Sequence, residues 1–393
     1  MNRVYKKIGS GTMLLAPLLS CAVEFGGQGI RSAALGGAGV ALKQTQWGLY
    51  YNPALLAAEP AKHAKVGWNV GATLMDSGLF TMFDDSILEQ DTIKNTQSLN
   101  EALNRGANLT FQSGIVFQLL PISQGHNLSI GYFKNIYTSL SGWGNIPDNS
   151  TNLNDVTDNA GFDAHLLAID ELPIGYAYRF STSAGEISMG ASVKFMFGAG
   201  GRHSMDLNGN ITDLIKDTLS VENAASSFNV GLDLGAYYSP NIINNRLGIG
   251  LVVKNLNAPS FTMKHISNGV STNEKISLNP QVRLGMSLDP LDWLTFTFDA
   301  DLTSNKLLPL ASKTVHSQVV GGGMRFHSTR FENVDLNLGI AKDFGLDNGL
   351  TFSGGFGLGL IGIALSYSTG KTDMGGVAIP NYVAIKIGGG LNF

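Results

Sequence analysis

The sequence predicts an all-β fold, an antiparallel transmembrane β-barrel of about 14 strands with an N-terminal hatch or plug segment. Three observations lead to this prediction. Apolar and polar residues alternate with a period of two through many segments, long and short connections alternate along the chain, and the composition is rich in glycine and poor in charge. Together they favour strands that cross a bilayer.

The composition separates this chain from most soluble enzymes. Charged residues make up 14% of its 393 residues and 49 positions are glycine, whereas about a quarter of the residues in a typical soluble domain are charged. The formal net charge of −4 gives no basic footprint, so nucleic acid is not expected as a partner. No apolar run reaches the ~20 residues of a membrane-spanning helix. A soluble β protein and a membrane β-barrel remain.

Residues 1–22 have the features of a secretory signal peptide. Arg3, Lys6 and Lys7 form a positive end, an apolar stretch follows, and residues 20–22 offer a small-residue cleavage site. The alternative is a lipoprotein, because the residues up to Cys21 form a passable lipobox that would leave Cys21 acylated. Cys21 is the only cysteine, so after signal-peptide removal no disulfide, thiol nucleophile or cysteine metal site is available.

Alternation of side-chain character identifies the strands. Successive residues of a strand point to opposite faces, and in "SFNVGLDLGAYY" large apolar residues alternate with asparagine, glycine and aspartate. "EISMGASVKFMF" and "WLTFTFDADL" repeat the pattern. We therefore expect an apolar face that includes Val230 and Phe296, and an opposite face that includes Thr297.

The connections decide between a barrel and a soluble sandwich, since strands of both have one apolar face. Short links such as "PISQG", "STSAG" and "GLGL" alternate with long links predicted at residues 76–108, 137–172, 198–225, 256–277, 303–316 and 369–380. Outer-membrane barrels have short periplasmic turns and longer external loops. The runs give about 14 strands, an even number that places both termini on the periplasmic side. We therefore predict a location in the cell outer membrane, surrounded by its lipid.

The last strand is also informative. In "NYVAIKIGGGLNF" alternate residues from Val383 to Phe393 would face lipid. A terminal aromatic residue on such a strand resembles the signal that the outer-membrane insertion machinery reads, so that machinery is an expected partner. An apolar edge strand would be an aggregation hazard, and closure against the first strand removes it.

The segment at residues 23–62 precedes the barrel, which is assigned to residues 63–393. Its glycines and alanines permit close packing in a crowded lumen, and its Asn-Pro pair suits a tight turn. It would either trail into the periplasm or fold back into the barrel, and we predict the second. The residues expected to form this hatch are Gly36, Gly37, Gly39, Asn52, Pro53 and Ala54.

The stretch "GIRSAALGGAGVALKQTQWGLYYNPALLA" resembles the N-terminal hatch of the FadL family of hydrophobic-compound transporters. The later stretches "LNPQVRLGMSLDPLDWLTFTFDADLT" and "VVGGGMRF" resemble more closely the conjugal transfer TraF-type branch of that outer-membrane superfamily. The resemblance implies transport or envelope assembly by a barrel. A thioredoxin-like TraF would act through a pair of cysteines, which this chain lacks.

Charged residues of the strands should point into the lumen or lie at the barrel mouths if the apolar faces meet lipid. Their mixed signs suggest that they pair across the interior and hold the hatch. A ligand-headgroup role for one or two basic residues stays open, because a cation in a low-dielectric lumen needs a partner. The lumen candidates are Arg179, Lys194, Asp233, Arg283, Asp299 and Asp301, with Arg246, Lys254 and Asp335 as further members.

No catalytic, cofactor-binding or metal-binding residues are predicted. The seven histidines are scattered without the i, i+4 spacing of a helical zinc site, and no glycine-rich stretch continues into the Lys-Ser/Thr of a phosphate loop. Two functions remain. One is passive transport of an apolar small molecule through the barrel. The other is a structural or interaction barrel whose loops contact partners in conjugation or surface assembly.

Two local features carry further expectations. Residues 211–219 form an amphipathic piece that we interpret as a loop helix, with capping of the pore or capture of an apolar solute as the alternative. Gly354, Gly355 and Gly357 would mark a bulge or kink in the wall, serving either a lateral opening or closure alone.

Overall fold

The computed structural model describes residues 22–23, 27–59, 63–83, 87–89, 92–119, 121, 123–152, 160–207, 210–220, 224–267, 269–306, 316–331, 334–346, 348–374 and 377–392. The predicted signal peptide up to Cys21, the end of the predicted hatch at residues 60–62 and the terminal Phe393 lie outside these residues.

A closed antiparallel barrel is the central feature of the fold, and its 14 strands confirm the predicted fold class. Each strand pairs with its neighbours in the chain, and the first pairs with the last, for example at Val66 and Leu391. The barrel strands, numbered here along the chain, are β1 Lys65–Asp76, β2 Gly106–Gln118, β3 His126–Gly144, β4 Ala160–Thr182, β5 Gly185–Asp206, β6 Ala225–Pro240, β7 Leu247–Lys254, β8 Gln281–Leu291, β9 Leu294–Asp301, β10 Val319–His327, β11 Val334–Asp343, β12 Leu350–Leu358, β13 Ile361–Ser368 and β14 Tyr382–Asn392.

Helices and short strands lie before and between the barrel strands. The α-helices are α1 Ile30–Ala34, α2 Gly48–Tyr51, α3 Thr96–Leu103 and α4 Ile211–Leu219, and the 3-10 helices are Pro53–Leu56, Leu79–Phe83 and Asn241–Ile243. The minor strands are Ala22–Val23, Leu88–Glu89, Thr92–Ile93, Ser260–Ser267, Val270–Ser277, Asn305–Lys306, His316–Ser317, Lys371–Met374 and Val377–Pro380. In the described residues, no helix has the length and apolar character required to cross a membrane.

The predicted alternation fixes which side chains face outward. Phe228, Phe296 and Phe298 are 53%, 41% and 47% exposed, whereas Asp233 and Thr297 are buried on the inner face. Large apolar residues occupy the outward positions of every long strand, and polar or small residues occupy the inward ones. Apolar groups exposed to this extent are stable in hydrocarbon, so the outer face is a lipid-facing belt.

The strands β3, β4 and β5 are longer than predicted, at 19, 23 and 22 residues. The predicted loops at 137–172 and 198–225 are therefore wrong in extent, since the actual gaps are 145–159 and 207–224. A membrane crossing needs only ~9–11 residues. The additional residues pair with each other beyond the bilayer, where polar residues are compatible with a strand and weaken the alternation on which the prediction rested.

The predicted loop at 256–277 contains a hairpin of two paired strands, Ser260–Ser267 and Val270–Ser277. Its first strand runs parallel to the end of β5, and Phe261 is fully buried against Gly198 on the inner face. Phe261 belongs to an apolar cluster with Leu167, Ile169 and Met196. The first strand of the hairpin thus packs into the lumen at the long-loop end, whereas its second strand is mostly exposed.

The predicted bulge at Gly354, Gly355 and Gly357 is wrong. Strand β12 pairs in unbroken register with both β11 and β13 through these residues. A register shift occurs instead at the turn between β8 and β9, near Leu288 and Leu291. The loop-helix prediction is correct, since α4 spans Ile211–Leu219.

A second apolar core covers the long-loop end of β3 to β5. It contains Leu99 and Leu103 of α3, Leu214 of α4 and Phe162 of β4. Leu99, Ala102 and Leu103 of α3 and Leu214 of α4 are buried in this core, and these helices therefore form an ordered cap beside the barrel mouth.

Candidate functional site

Residues 27–59, called the hatch from here on, pack against inward positions on all sides of the wall. Trp47, Leu49, Tyr50 and Tyr51 form an apolar cluster with Val116 and Phe133 of one side and Val252 of another. Val40, Tyr51 and Asn52 are fully buried. Because its contacts are with inward residues around the circumference, the hatch occupies the lumen.

The predicted residues Gly36, Gly37 and Gly39 lie just after α1. Gly36 and Gly37 have φ values of 66° and 85°, a left-handed conformation that ends helices and suits glycine. The amide of Gly37 donates to the carbonyl of Ser32 at 2.9 Å. A Cβ built at Gly39 would lie 2.6 Å from the Tyr51 ring. These residues therefore form a compact turn that a larger side chain would disrupt.

The predicted residues Asn52, Pro53 and Ala54 form a second tight feature. Asn52 Oδ1 accepts from the Ala54 amide at 3.0 Å, capping the 3-10 helix that begins at Pro53. Its Nδ2 donates to the carbonyls of Val40 and Ala236, each at 3.0 Å. The Asn52 side chain thus links the hatch to itself and to strand β6.

Ionic anchors connect the start of the hatch to β10 and β11. Arg31 Nη2 lies 2.6 Å from Asp335 Oδ2, and Arg325 Nη2 lies 3.3 Å from the same oxygen. All three side chains are buried. Asn337 Nδ2 donates to the other oxygen of Asp335 at 2.7 Å. Arg31 was not among the predicted residues, although it is an early basic residue of the hatch-like stretch.

The lumen candidates Asp299, Arg283 and Asp301 form a second anchor. Asp299 Oδ2 accepts from the amides of Gly39 and Val40 at 2.8 and 3.0 Å. Arg283 Nε lies 2.6 Å from Asp301 Oδ1, and an Arg283 Nη1 contact of 3.5 Å reaches the carbonyl of Gly37. Asp299 and Arg283 therefore bind the glycine turn of the hatch directly, and Asp301 holds Arg283 in place.

A third group lies on the side of β5 to β7. Lys194 Nζ is 3.0 Å from Asp233 Oδ1 and 3.5 Å from Glu171 Oε2, and it donates to Asn255 Oδ1 at 2.5 Å. Lys254 Nζ lies 3.6 Å from the centre of the Tyr50 ring. This cation over an aromatic face connects the group to the hatch.

The remaining candidates lie at the short-turn end. Arg179 Nε is 3.6 Å from Glu186 across the turn between β4 and β5, and Arg246 Nη2 is 3.0 Å from Asp292. These partly exposed pairs are remote from the hatch anchors. The structure thus brings Asp299, Arg283 and Asp301 together, places Lys194 with Asp233, and leaves Arg179 apart.

The first hatch residues reach β14 and β2 through Lys386, which the sequence analysis did not single out. Lys386 Nζ donates to the carbonyl of Gly27 and to Gln112 Oε1. Tyr51 donates its hydroxyl to the carbonyl of Gln28 at 2.9 Å. Burial raises the pKa of the Tyr51 phenol, so it stays a neutral donor. Lys386 could have been predicted to face the lumen, because it is a lone lysine on the polar face of an otherwise apolar strand.

A cavity of about 120 Å³ lies between the hatch and the long-loop end of the barrel. Gly27, Gly36 and Gly37 of the hatch line it, together with Arg283 and Lys386. Its walls come from β1, β2, and β10 to β14. In the described part of the chain, no group of three or more His, Cys, Asp or Glu residues could hold a metal ion. The cavity offers space in the lumen for a small molecule.

Comparison with protein families gives one match. The family model described as "F plasmid transfer operon, TraF, protein" matches residues 49–301, which is more than half of the chain. No curated protein sequence matches significantly.

Solved outer-membrane channels share the fold at low sequence identity. The Ralstonia pickettii toluene transporter TbuX has a TM-score of 0.54 and 14% identity, covering 93% of this chain and 97% of that chain. The P. putida toluene transporter TodX has a TM-score of 0.54 and 14% identity, covering 94% and 99%. A Pseudomonas aeruginosa FadL homologue has a TM-score of 0.56 and 9% identity, covering 95% and 100%.

The family model bears out the predicted TraF-type branch, and the solved structures bear out the predicted FadL-like barrel fold. The architecture and the lipid-facing belt are those of outer-membrane barrels, and the protein lies in the outer membrane. The similar solved structures reported above include toluene transporters.

Proposed function

This chain belongs to the family described as "F plasmid transfer operon, TraF, protein", and we propose that it is a passive outer-membrane channel for small, largely apolar molecules. The hatch is the element that controls passage. Similar solved structures include a toluene transporter and a monoaromatic hydrocarbon channel. Their likeness to this chain extends to the fold, so the substrate of this chain is part of the proposal.

The observation that carries the proposal is the position of the cavity above a hatch that fills the lumen. The cavity has hatch residues on its wall, including Gly36 and Gly37. A solute that enters from the long-loop end meets this turn, and its further passage requires the turn to move. Asp299 and Arg283 hold the turn through hydrogen bonds, and such contacts can break and reform without changes in the barrel strands.

Reversible locking of the hatch tests this role. A Cβ built at Gly355 of β12 lies 2.7 Å from the Cβ of Ala34, slightly closer than the ~3.5–4.5 Å of a disulfide. A small shift would let the pair Ala34→Cys and Gly355→Cys form a bond. We expect oxidation to lower uptake of toluene by cells expressing the variant, and reduction to restore it. The matched control is Gly354→Cys with Ala34→Cys, because Gly354 lies on the outward face.

Two further results decide the proposal. Deletion of residues 36–57 should leave a barrel that inserts, since the strands close without the hatch, and it should admit small hydrophilic solutes. If locking and deletion both leave permeability unchanged, the channel function is refuted. Measurement of heat-modifiable mobility on gels would show in each case that the barrel is folded.

A second candidate is an interaction barrel in conjugation or surface assembly. The family description refers to plasmid transfer, and the ordered cap of α3 and α4 offers a surface at the long-loop end. Gln97 and Glu101 of α3 form an exposed pair, with Gln97 Nε2 donating to Glu101 Oε1 at 3.2 Å. Charge reversal by Glu101→Arg should then lower mating frequency while toluene uptake is unchanged. The locked hatch should have the opposite effects.

A further inference from the structure

Small hydroxyl side chains line the cavity in a continuous row. Strand register places Ser353 opposite Ser366 and Thr73 opposite Thr110. Ala384 lies between the two pairs, opposite both Ser366 and Thr73. We call Ser353, Ser366, Thr73 and Thr110 the hydroxyl row. Neighbouring strands are ~4.8 Å apart, so these groups form one curved surface across five strands.

The side chains of the hydroxyl row are not hydrogen-bonded within the part of the protein that the structure describes. In the described part of the chain, none of its four side chains makes a hydrogen bond to another protein group, and the same holds for Thr351 beside it. All five residues line the cavity. Elsewhere on the inner face, Ser287 Oγ donates to the carbonyl of Ala41 at 2.8 Å, whereas the hydroxyls of Ser188 and Ser192 are buried without a partner among the described residues and do not line the cavity. The hydroxyl row therefore differs from these groups in combining several unpaired donors with access to a cavity.

Apolar groups form a further part of the cavity wall, which also includes the polar residues Gln112, Arg283, Asp343, Asn348 and Lys386. Met75, Leu346 and Tyr382 pack together near its long-loop end, and all three line it. A cavity of this order of size can hold a benzene-sized ring. One part of the wall can thus contact an apolar body while another presents several donors and acceptors.

A pure hydrocarbon suits this lining less well than a hydroxylated solute of the same shape. It would displace water from the hydroxyl row and return no hydrogen bonds, and each buried polar group left unsatisfied costs about 1–3 kcal/mol. A solute with its own hydroxyl groups would replace those lost bonds. Two ligands of the same shape that differ only in their polar substituents should therefore bind with different affinities.

We propose that the cavity is a binding site for small amphipathic solutes that carry two or more hydroxyl groups on an apolar ring. This inference rests on the proposed channel function and narrows its substrate class, from apolar molecules generally to hydroxylated rings. The hydroxyl row holds the polar substituents, and the wall around Met75 and Tyr382 contacts the ring.

A matched pair of probes tests the proposal. Resorcinol and m-xylene have the same ring and the same number of heavy atoms, with two hydroxyls in one replaced by two methyls in the other. Ala384→Cys introduces a thiol in the centre of the row while all its hydroxyls remain. In outer-membrane vesicles, the rate of its reaction with methyl methanethiosulfonate is measured by mass spectrometry across a titration of each probe.

We expect resorcinol to slow this reaction with an apparent dissociation constant about tenfold lower than that of m-xylene, since one net hydrogen bond contributes about a tenfold difference. The double variant Thr73→Val and Thr110→Val removes two hydroxyls at nearly constant volume. It should abolish or reverse this preference. The control Thr297→Val removes a lumen hydroxyl that bonds the Met286 carbonyl and does not line the cavity, so the preference should remain.

Three outcomes would overturn the site. These are a thiol that does not react in the absence of solute, equal protection by both probes, or a preference that the double valine variant leaves unchanged. Uptake of both probes is measured in parallel in the locked-hatch variant. Selective protection without hatch-dependent uptake would support the site and refute the channel. Hatch-dependent uptake without selective protection would do the reverse.

Discussion

Two sectors of the barrel wall differ in what lies against their inner face. Along β5 to β11, inward glycines let the hatch backbone press against the wall. A Cβ built at Gly235 would lie 2.0 Å from Asn52 Oδ1, and one at Gly321 would lie 2.0 Å from the Gly36 carbonyl oxygen. Along β12 to β2, the hydroxyl row faces a cavity. We call these the packed sector and the open sector.

The difference shows how one strand pattern can serve two purposes. Both sectors have large apolar residues outside, because both contact lipid. Inside, the packed sector has glycine at points where another backbone approaches, since any Cβ would collide. In the open sector, short polar side chains line the cavity and tolerate either water or a solute, whereas its inward glycines Gly355 and Gly362 lie against Ala34 and Ile30 of the hatch. The inward residue type therefore reports whether the chain itself or something else fills the adjacent lumen.

The largest expected effect comes from the ionic anchor in the packed sector. Asp335→Ala leaves the buried guanidiniums of Arg31 and Arg325 without their shared carboxylate, and breaking a buried ion pair by removing one partner costs about 3–5 kcal/mol. We expect a matching loss in the free energy of unfolding from vesicles, and protease cleavage of the hatch. The control Glu186→Ala removes a partly exposed pair, worth about 0–1 kcal/mol. Equal losses would show that Asp335 does not anchor the hatch.

The second prediction tests the two faces within the open sector, using adjacent residues of β2. Phe111 is 46% exposed to lipid, whereas Thr110 lines the cavity. Phe111→Arg should lower folding stability by up to about 2–4 kcal/mol, the cost of a cation near the bilayer midplane. Thr110→Arg places the same side chain in the lumen and should cost less. Urea titration of refolding into vesicles measures both, and a smaller loss for Phe111→Arg would mean that the faces are assigned in reverse.

Sequence alone was sufficient for features that depend on one strand at a time. Alternation placed Asp233 and Thr297 on the polar face and Val230 and Phe296 on the apolar face, and the strand count followed from the same pattern. These properties are local, because lipid imposes the same requirement on every strand.

Features that depend on distant residues could not be predicted. Arg31 and Asp335 are 304 positions apart, and no spacing rule connects them. The hairpin at Ser260–Ser277 was expected to be a loop, because its second strand is mostly exposed and lacks the apolar face of a barrel strand. The hydroxyl row is formed by register between four separate strands, so its members have no common motif in the chain.

The third prediction tests why glycine is needed in the packed sector. Gly321→Val would place side-chain atoms against the Gly36 carbonyl, and overpacking of this kind costs about 1–3 kcal/mol. Gly354→Val is the matched control, because a Cβ there has no neighbour closer than 3.8 Å and faces outward, where valine suits a strand. We expect hatch residues to become accessible to maleimide labelling in Gly321→Val only. Equal labelling in both variants would show that glycine at position 321 is not required for the hatch to pack against the wall.

The smallest effect gives the most direct comparison of the two sectors, because it removes the same atom from each. Ser287 and Ser366 are both inward and buried, yet only the Ser287 hydroxyl has a protein partner, the Ala41 carbonyl of the hatch. Ser287→Ala should therefore cost about 0.5–1.5 kcal/mol, or slightly more because the Ala41 carbonyl loses its donor. Ser366→Ala removes a hydroxyl that faces the cavity, so its stability should change by less than about 0.5 kcal/mol. Urea titrations of both variants in the same vesicles resolve this difference. A loss at Ser366 as large as that at Ser287 would mean that the open sector is held by internal hydrogen bonds after all, and that its hydroxyls are not available to a solute.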